Sequence, residues 1–98
     1  MSAPVRKGRP TDIDWALDGE MKRRMLAEGC PACSARAREV RARPAHAEWR
    51  LHFACGAQVY GVLGGARVAK ACRNGGCLDG LSAAVAEMER QARRELAS

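Results

Sequence analysis

The chain has 98 residues, of which 47% are hydrophobic but only 4% are aromatic. A chain of this length forms one small domain, and small domains with few large side chains commonly need a metal ion, disulfides or a partner to stay folded. Basic residues outnumber acidic ones by 17 to 11, and the resulting net charge of +6 is compatible with binding nucleic acid.

The sequence predicts a cytoplasmic protein with no membrane partner. No stretch approaches the roughly 20 apolar residues of a membrane helix, and residues 1–29 contain no apolar core of a signal peptide. In the cytoplasm, closely spaced cysteines bind metal more often than they form disulfides. The odd count of five cysteines also argues against complete disulfide pairing. Nothing in the sequence indicates the oligomeric state.

The chain begins with a predicted flexible basic tail, residues 1–11, and residues 12–98 are expected to form a single metal-stabilised domain. The first element of this domain is a predicted helix over residues 12–28. Its apolar stripe recurs every four residues and consists of Ile13, Leu17, Met21 and Met25. Gly29 suits a left-handed helix stop, and Pro31 prevents the helix from continuing.

Short strands and turns are predicted for the middle of the domain. Residues 35–43 fit either a basic strand with a bulge or a short helix. Residues 48–55 show the clearest alternation, and the residues expected on one side are Trp49, Leu51, Phe53 and Cys55. Two more strands are predicted over 58–63 and 67–71, joined by a hairpin turn at Gly64-Gly65.

A final helix is predicted over residues 79–96. Its apolar face consists of Leu78, Leu81, Val85, Met88, Ala92 and Leu96. Glu89 and Arg93 lie one helical turn apart and support the helix as an ion pair. The predicted fold class is therefore a small α+β domain, with β-hairpins flanked by an N-terminal and a C-terminal helix.

The cysteine spacing points to a metal site. Cys30 and Cys33 are separated by two residues, so one tight turn presents both sulfur atoms to the same ion. Zinc takes four such ligands in a tetrahedron, and the other two must come from distant segments. Cys55 is the third candidate, because it ends the best predicted strand and precedes Gly56, where a ligand-bearing turn is expected.

The fourth ligand has more than one candidate. Cys72 is favoured, since it ends the third predicted strand and returns beside Cys55 after the hairpin, whereas Cys77 follows a flexible loop. A different set would use His52 with Cys55, although strand alternation places these two side chains on opposite sides. His46 is expected to be a turn histidine in solvent. One cysteine is left as a small buried apolar residue or a free thiol.

The stretch from Cys30 to Cys72 resembles small zinc-ribbon-like proteins common in bacteriophages. The resemblance rests on CPAC at 30–33, WRLHFACG at 49–56 and a late cysteine after a hairpin. It implies a zinc-ribbon-like region over residues 30–77, zinc held by the cysteines, and a location in the host cytoplasm if the protein is phage-encoded. This chain departs from the pattern by carrying both Cys72 and Cys77.

A second resemblance concerns the segment GVLGG at 61–65, which is similar to the glycine turn of WhiB-type iron–sulfur regulators. In that family the turn follows four cluster cysteines, whereas here two cysteines follow the turn. The segment is therefore interpreted as a hairpin turn. A third, short similarity relates RKGRP at 6–10 to the core of an AT-hook, which inserts arginine into a narrow minor groove. The alternative is a solvated basic tail.

The cysteine spacing, the basic residues and the amphipathic helices suggest two functions of different classes. The first is a nucleic-acid-binding zinc module of the zinc-finger kind, because arginine matches phosphate geometry well. The candidate nucleic-acid-binding residues are Arg36, Arg38, Arg41, Arg43 and Arg50. The second is a protein-interaction adaptor, or a virion or assembly accessory factor, that binds a protein partner through the amphipathic helices and Trp15. An enzyme is not expected, because the sequence offers no phosphate-binding glycine loop and no open metal position beside a base.

Overall fold

The structure, a computed structural model, describes residues 12–74 and 78–97. In chain order, the elements are α1 (Asp12–Glu28), β1 (Ala37–Val40), β2 (Trp49–Phe53), β3 (Gln58–Val62), β4 (Gly65–Lys70) and α2 (Leu78–Ala97). The predicted small α+β fold, with hairpins between two helices, is confirmed. The first helix has the predicted bounds, and the second extends one residue further at each end. The predicted basic tail lies outside the described residues.

The four strands form one antiparallel sheet in the order β1-β2-β3-β4. Each strand pairs with the next along the chain, so the sheet consists of consecutive hairpins. Gly61 in β3 lies opposite Trp49 in β2, and a Cβ atom at this position would collide with the indole ring. The glycine leaves space for the indole ring, which lies between the sheet and the helices. It therefore allows the two strands to pair with each other.

Two predicted details of the sheet need correction. Of the two alternatives for residues 35–43, the strand is confirmed and the helix is wrong, but the strand covers only Ala37–Val40 and pairs with β2 without a bulge. The hairpin turn lies at Leu63-Gly64, one residue earlier than predicted, because Gly65 already pairs with Val62 as the first residue of β4. Gly64 has a φ of 85°, a left-handed conformation that favours glycine in the turn.

The core lies on one side of the sheet. Strand β2 alternates as predicted, with Trp49, Leu51 and Phe53 buried and the residues between them partly exposed. Both helices cover this side: α1 contacts β1, β3 and β4, and α2 contacts β4. Leu17, Met21 and Met25 of α1 pack with Leu81, Val85 and Ala92 of α2 among the buried residues of the core.

Polar contacts fix the helices at the edges of this core. The Trp49 indole N–H donates to the Asp18 side chain at 2.8 Å and to its carbonyl at 3.1 Å, which joins β2 to α1. The two helices are joined by ion pairs, Arg24 with Glu95 and Arg93 with Asp14. Across residues 12–74 and 78–97, no helix combines the length and apolar character that crossing a bilayer requires.

Candidate metal centre

The first half of the site is the turn that follows α1. Gly29 ends the helix with a φ of 87°, and its N–H donates to the Met25 carbonyl at 2.9 Å. The chain then folds back on itself, because the Ser34 N–H donates to the Cys30 carbonyl at 2.7 Å and the Cys30 N–H to the Ala35 carbonyl at 2.8 Å. This closed turn directs the Cys30 and Cys33 side chains to one point.

The second half joins the turn after β2 to the segment after β4. Gly56, with a φ of 92°, allows the chain to reverse directly after Cys55. Cys72 follows β4 by two residues. The next residue, Arg73, donates from its backbone N–H to the Cys55 carbonyl at 3.2 Å and from its side-chain Nε at 3.0 Å. These bonds hold Cys72 beside Cys55.

The two halves bring four sulfur atoms together. The Sγ atoms of Cys30, Cys33, Cys55 and Cys72 all lie within 4.8 Å of one another. A tetrahedral zinc ion with bonds of about 2.3 Å separates its sulfur ligands by about 3.8 Å. The Sγ atoms of Cys33 and Cys72 lie 3.4 Å apart, so the cluster needs little adjustment to hold such an ion. The four cysteines are thus positioned to bind a metal ion.

The surroundings of the sulfur atoms fit a cation. Cys30, Cys55 and Cys72 are 2%, 3% and 2% exposed, and Cys33 is half-buried. Burial raises the pKa of the Cys55 thiol to about 12 and raises that of Cys30, whereas the Ala35 amide lowers the pKa of Cys33 to about 7. A cation in the centre supplies the positive charge that converts buried thiols to thiolates.

All four cysteines favoured from the sequence are therefore brought together in the structure, whereas the competing histidine is not. His52 lies in β2 between two buried residues that face the core, so its side chain is on the opposite side of the sheet. His46 is exposed in the turn before β2, with its ring edge-on to Tyr60 at 6.3 Å. Cys77, the other candidate for the fourth ligand, lies outside the described residues.

Two of the candidate arginines, Arg38 and Arg50, lie in strands and on the other side of the sheet. We use "outer face" for the side of the sheet opposite the core. Residues paired across antiparallel strands share a side, and the strand register assigns to the outer face Arg38, Val40, Arg50, His52, Gln58, Tyr60, Val62, Arg67 and Lys70. Both helices pack on the core side of the sheet, so neither of them covers the outer face.

Two shallow hollows indent the outer face and its rim. The first has a volume of about 440 Å³ and is lined by Val40, Arg41, Arg43, Arg50, His52 and Gln58. The second, of about 430 Å³, includes Arg36, Arg38, His52, Gln58, Lys70 and Arg73. All five arginines singled out in the sequence line one of these hollows. Among the residues that the structure describes, no aspartate or glutamate lines either of them.

The positive charge of this region acts on His52, which lies on the outer face. The pKa of His52 is lowered, first by burial and then by the charges of Arg50, Arg38 and Lys70. These three cations come from β2, β1 and β4, so they converge on His52 from three strands. The outer face is therefore a compact positive surface, and its charge does not come from one strand alone.

Sequence reasoning missed several residues of this surface. Gln58, Tyr60 and Lys70 join it only because β3 and β4 pair beside β2, and Arg73 joins it because it bonds to the turn after β2. Alternation within residues 58–63 was a usable signal for Gln58 and Tyr60, since it places their side chains on the other side of the strand from the buried Val59. No local signal identified Lys70, because a register shift beside Gln58 determines its partner.

Comparison of the chain with protein-family models, with curated protein sequences and with solved structures finds no match. The cysteine cluster, held by the turn after α1, the turn between β2 and β3 and the segment after β4, is consistent with a zinc-ribbon-like motif. No matching family links the chain to phage proteins or to WhiB-type regulators.

Proposed function

We propose that this protein is a structural zinc module that binds nucleic acid through the outer face of its sheet. The observation that carries the proposal is the convergence of four cysteine sulfurs within 4.8 Å on the core side of the sheet. Four thiolates complete a tetrahedron and leave no ligand position for a substrate, which is the arrangement of a structural zinc site. The ion's role is to hold the hairpins in place.

Native mass spectrometry tests the metal part of the proposal. The protein is purified without added metal, and its mass is compared before and after acidification, which releases a bound ion. We expect one zinc ion per chain. A colourless sample with no visible absorbance separates zinc from iron, because both metals can occupy a site with four thiolates. A metal-free mass in a folded protein would contradict the proposal.

The nucleic-acid part of the proposal is supported by the charge of the outer face. Arginine guanidinium groups recognise phosphate oxygens through paired N–H donors, and several of them line each hollow without an acidic neighbour among the described residues. Most acidic groups that the structure describes lie elsewhere: for example, Glu20 pairs with Arg23 and Arg24 on α1, and Glu87 pairs with Arg90 on α2. This separation leaves the outer face free to attract an anionic polymer.

Binding of labelled DNA and RNA, measured as fluorescence anisotropy over a range of salt concentrations, tests this part. Contact with about three phosphates predicts that the logarithm of affinity falls with the logarithm of salt concentration, with a slope of roughly −2 for a single strand and roughly −3 for a duplex. We expect Arg38→Ala to weaken binding several-fold. Arg90→Ala is the matched control, because it removes the same charge from α2 and should change affinity little.

A second candidate function is supported by a different observation. Trp15 on α1 is 57% exposed, and Leu26 and Leu63 are also exposed. Large exposed apolar side chains of this kind anchor protein partners, so a role as an interaction adaptor is the alternative. The apolar face of α2 does not favour it, because Leu81 and Val85 are buried in the core. A pull-down in which Trp15→Ala loses a partner while nucleic-acid binding is absent would favour the adaptor.

A further inference from the structure

The proposed function leaves open which form of nucleic acid the outer face recognises. Resting on that function, we infer that the ligand is a single strand, with a phosphate held by Arg50 and a base stacked on Tyr60. Three features of the outer face favour a single strand: the fixed orientation of Arg50, the position of Tyr60 beside it, and the width of the sheet.

Arg50 is fixed before any ligand arrives. Its Nη1 donates to the Arg43 carbonyl at 3.0 Å, its Nη2 to the Gln58 side-chain oxygen at 2.7 Å, and its Nε to His52 Nε2 at 3.4 Å. Each terminal nitrogen carries two hydrogens, so each retains a second N–H beyond these contacts. A guanidinium already held in one orientation loses little conformational freedom when it binds a phosphate.

Tyr60 lies next to this guanidinium on the outer face. It pairs with Arg50 in the register of β2 and β3, and the Arg50 guanidinium carbon lies 5.8 Å from its ring centroid. The ring is half-buried, and the edge-on His46 ring limits its movement. Unpaired bases stack on aromatic rings and on guanidinium planes, so the two side chains together form a surface on which a base stacks.

The width of the face argues against a duplex. Four strands at about 4.8 Å spacing make a surface roughly 14 Å across between its outer strands. The major groove of DNA, about 12 Å wide, admits a helix or a two-stranded ribbon. Both helices of this protein contact the opposite side of the sheet and cannot enter a groove from the outer face. A flexible single strand follows a flat sheet and presents its bases to it.

The two hollows define a path for that strand. His52 and Gln58 line both of them, so a chain that crosses these residues passes from one hollow to the other. His52 Nε2 accepts the hydrogen of Arg50 Nε, which assigns the neutral ring's own hydrogen to Nδ1. His52 therefore carries a donor, Nδ1–H, where the two hollows meet.

The test uses the zinc-loaded full chain and three fluorescent probes of one mixed sequence of about 12 nucleotides: single-stranded DNA, single-stranded RNA and the DNA duplex. We expect both single strands to bind at least about ten-fold more tightly than the duplex. Arg50→Ala and Tyr60→Ala should each weaken single-strand binding by about ten-fold, in line with the loss of one phosphate contact or one stacked base. Tyr60→Phe keeps the ring and should bind like the wild type, as should Arg90→Ala.

Thermal unfolding of each variant shows whether it is folded. If Tyr60→Ala does not fold, Tyr60→Leu replaces it, because leucine keeps an apolar side chain without an aromatic ring. Equal or tighter binding of the duplex overturns the single-strand inference but leaves the proposed function in place. Undiminished single-strand binding by the folded Tyr60 or Arg50 variant likewise overturns the assigned contact. Failure of all three probes to bind removes the proposed function together with the inference.

Discussion

Cys33 differs from the other three cysteines of the cluster in its exposure and in its acidity. It is half-buried and has a pKa of about 7, whereas Cys55 is buried and has a pKa of about 12. Four negative sulfurs within 4.8 Å of one another would repel strongly without a cation between them. Metal binding must therefore release protons, and acidification must favour metal loss.

A pair of serine substitutions tests the assignment of the four ligands. Cys33→Ser removes one thiolate, and we expect the protein to lose most of its zinc affinity and to unfold at a much lower temperature. Cys77→Ser is the control, because four other cysteines already complete a tetrahedral site. Native mass spectrometry and thermal unfolding measure both effects. Zinc loss in Cys77→Ser with retention in Cys33→Ser would contradict the assignment.

His52 makes a separate contribution to the pH dependence of stability. Its folded pKa lies below the ordinary value of 6.5, through burial and through the charges of Arg50, Arg38 and Lys70. The folded state thus binds the proton less tightly than the unfolded state does. The contribution of neutral His52 to the free energy of unfolding is fully present above about pH 6.5. It declines as the pH falls through the lowered pKa of His52 in the folded state.

Thermal unfolding at several pH values between about 7 and 5 measures this effect. We expect the unfolding temperature of the wild type to fall more on acidification than that of His52→Gln, which cannot titrate at this position. Loss of zinc on acidification affects both proteins alike, so the comparison isolates the histidine. Equal pH dependence of the two proteins would show that His52 does not contribute.

Gly29 joins the first helix to the metal-binding turn, and its conformation can be tested. Its φ of 87° is strained for other residues, and an added Cβ would lie 2.6 Å from the Ala35 carbonyl oxygen and closer still to that of Ser34. We expect Gly29→Ala to reduce the free energy of unfolding by about 1–3 kcal/mol and to weaken zinc binding. Denaturant unfolding of the zinc-loaded protein measures the change.

Gly19, in the middle of α1, is the matched control. Nothing lies within 4 Å of a Cβ built at this position, and its backbone is helical. Gly19→Ala should therefore stabilise the protein by about 0.5–1 kcal/mol, since alanine favours helix more than glycine does. If both substitutions changed stability by the same amount and sign, the turn after α1 would not depend on the left-handed conformation.

The helices and β2 could be predicted from the sequence because their signals are local. Leu17, Met21 and Met25 recur at helical spacing, and residues 49–53 alternate between buried and partly exposed positions. The position of the second hairpin turn could not be predicted, because either glycine of the pair at 64–65 can adopt the required conformation. Only the pairing of Val62 with Gly65 decides between them, and this pairing is a contact between strands.

For the whole molecule, the cysteine cluster is part of the core. Cys30, Cys55 and Cys72 belong to the same buried cluster as Leu51, Phe53 and the α1 methionines. Alanine contributes many of the remaining apolar residues and stabilises little by its burial. We therefore expect the metal-bound and folded states to form and disappear together.

Tryptophan fluorescence can measure this coupling between zinc binding and folding. Trp49 is 2% exposed and Trp15 is 57% exposed, so only Trp49 should change its environment strongly on unfolding. In Trp15→Phe, addition of a strong zinc chelator should shift the remaining fluorescence to longer wavelength and abolish the cooperative thermal transition. Restoring zinc should reverse both changes. A chelated protein with an unchanged spectrum and unfolding temperature would show that the fold does not need the ion.

The candidate site could be predicted only in part from the sequence, for a physical reason. Cys30 and Cys33 are close in the chain, and Cys55 and Cys72 each follow a strand by two residues, so their convergence followed from the expected hairpins. The hollows of the outer face were not predictable in the same way. They combine Arg43, Gln58 and Lys70 from different parts of the chain, and their formation requires the full register of four strands.

Burial of only one side of the sheet has a consequence for how this sequence can change. Trp49, Leu51 and the four cysteines carry the packing, while Arg38, Gln58 and Lys70 contact neither helix across the sheet. Substitutions at the latter positions should alter ligand preference with little loss of stability. The domain is thus a scaffold on which a new binding specificity can be selected by randomising those outward positions alone.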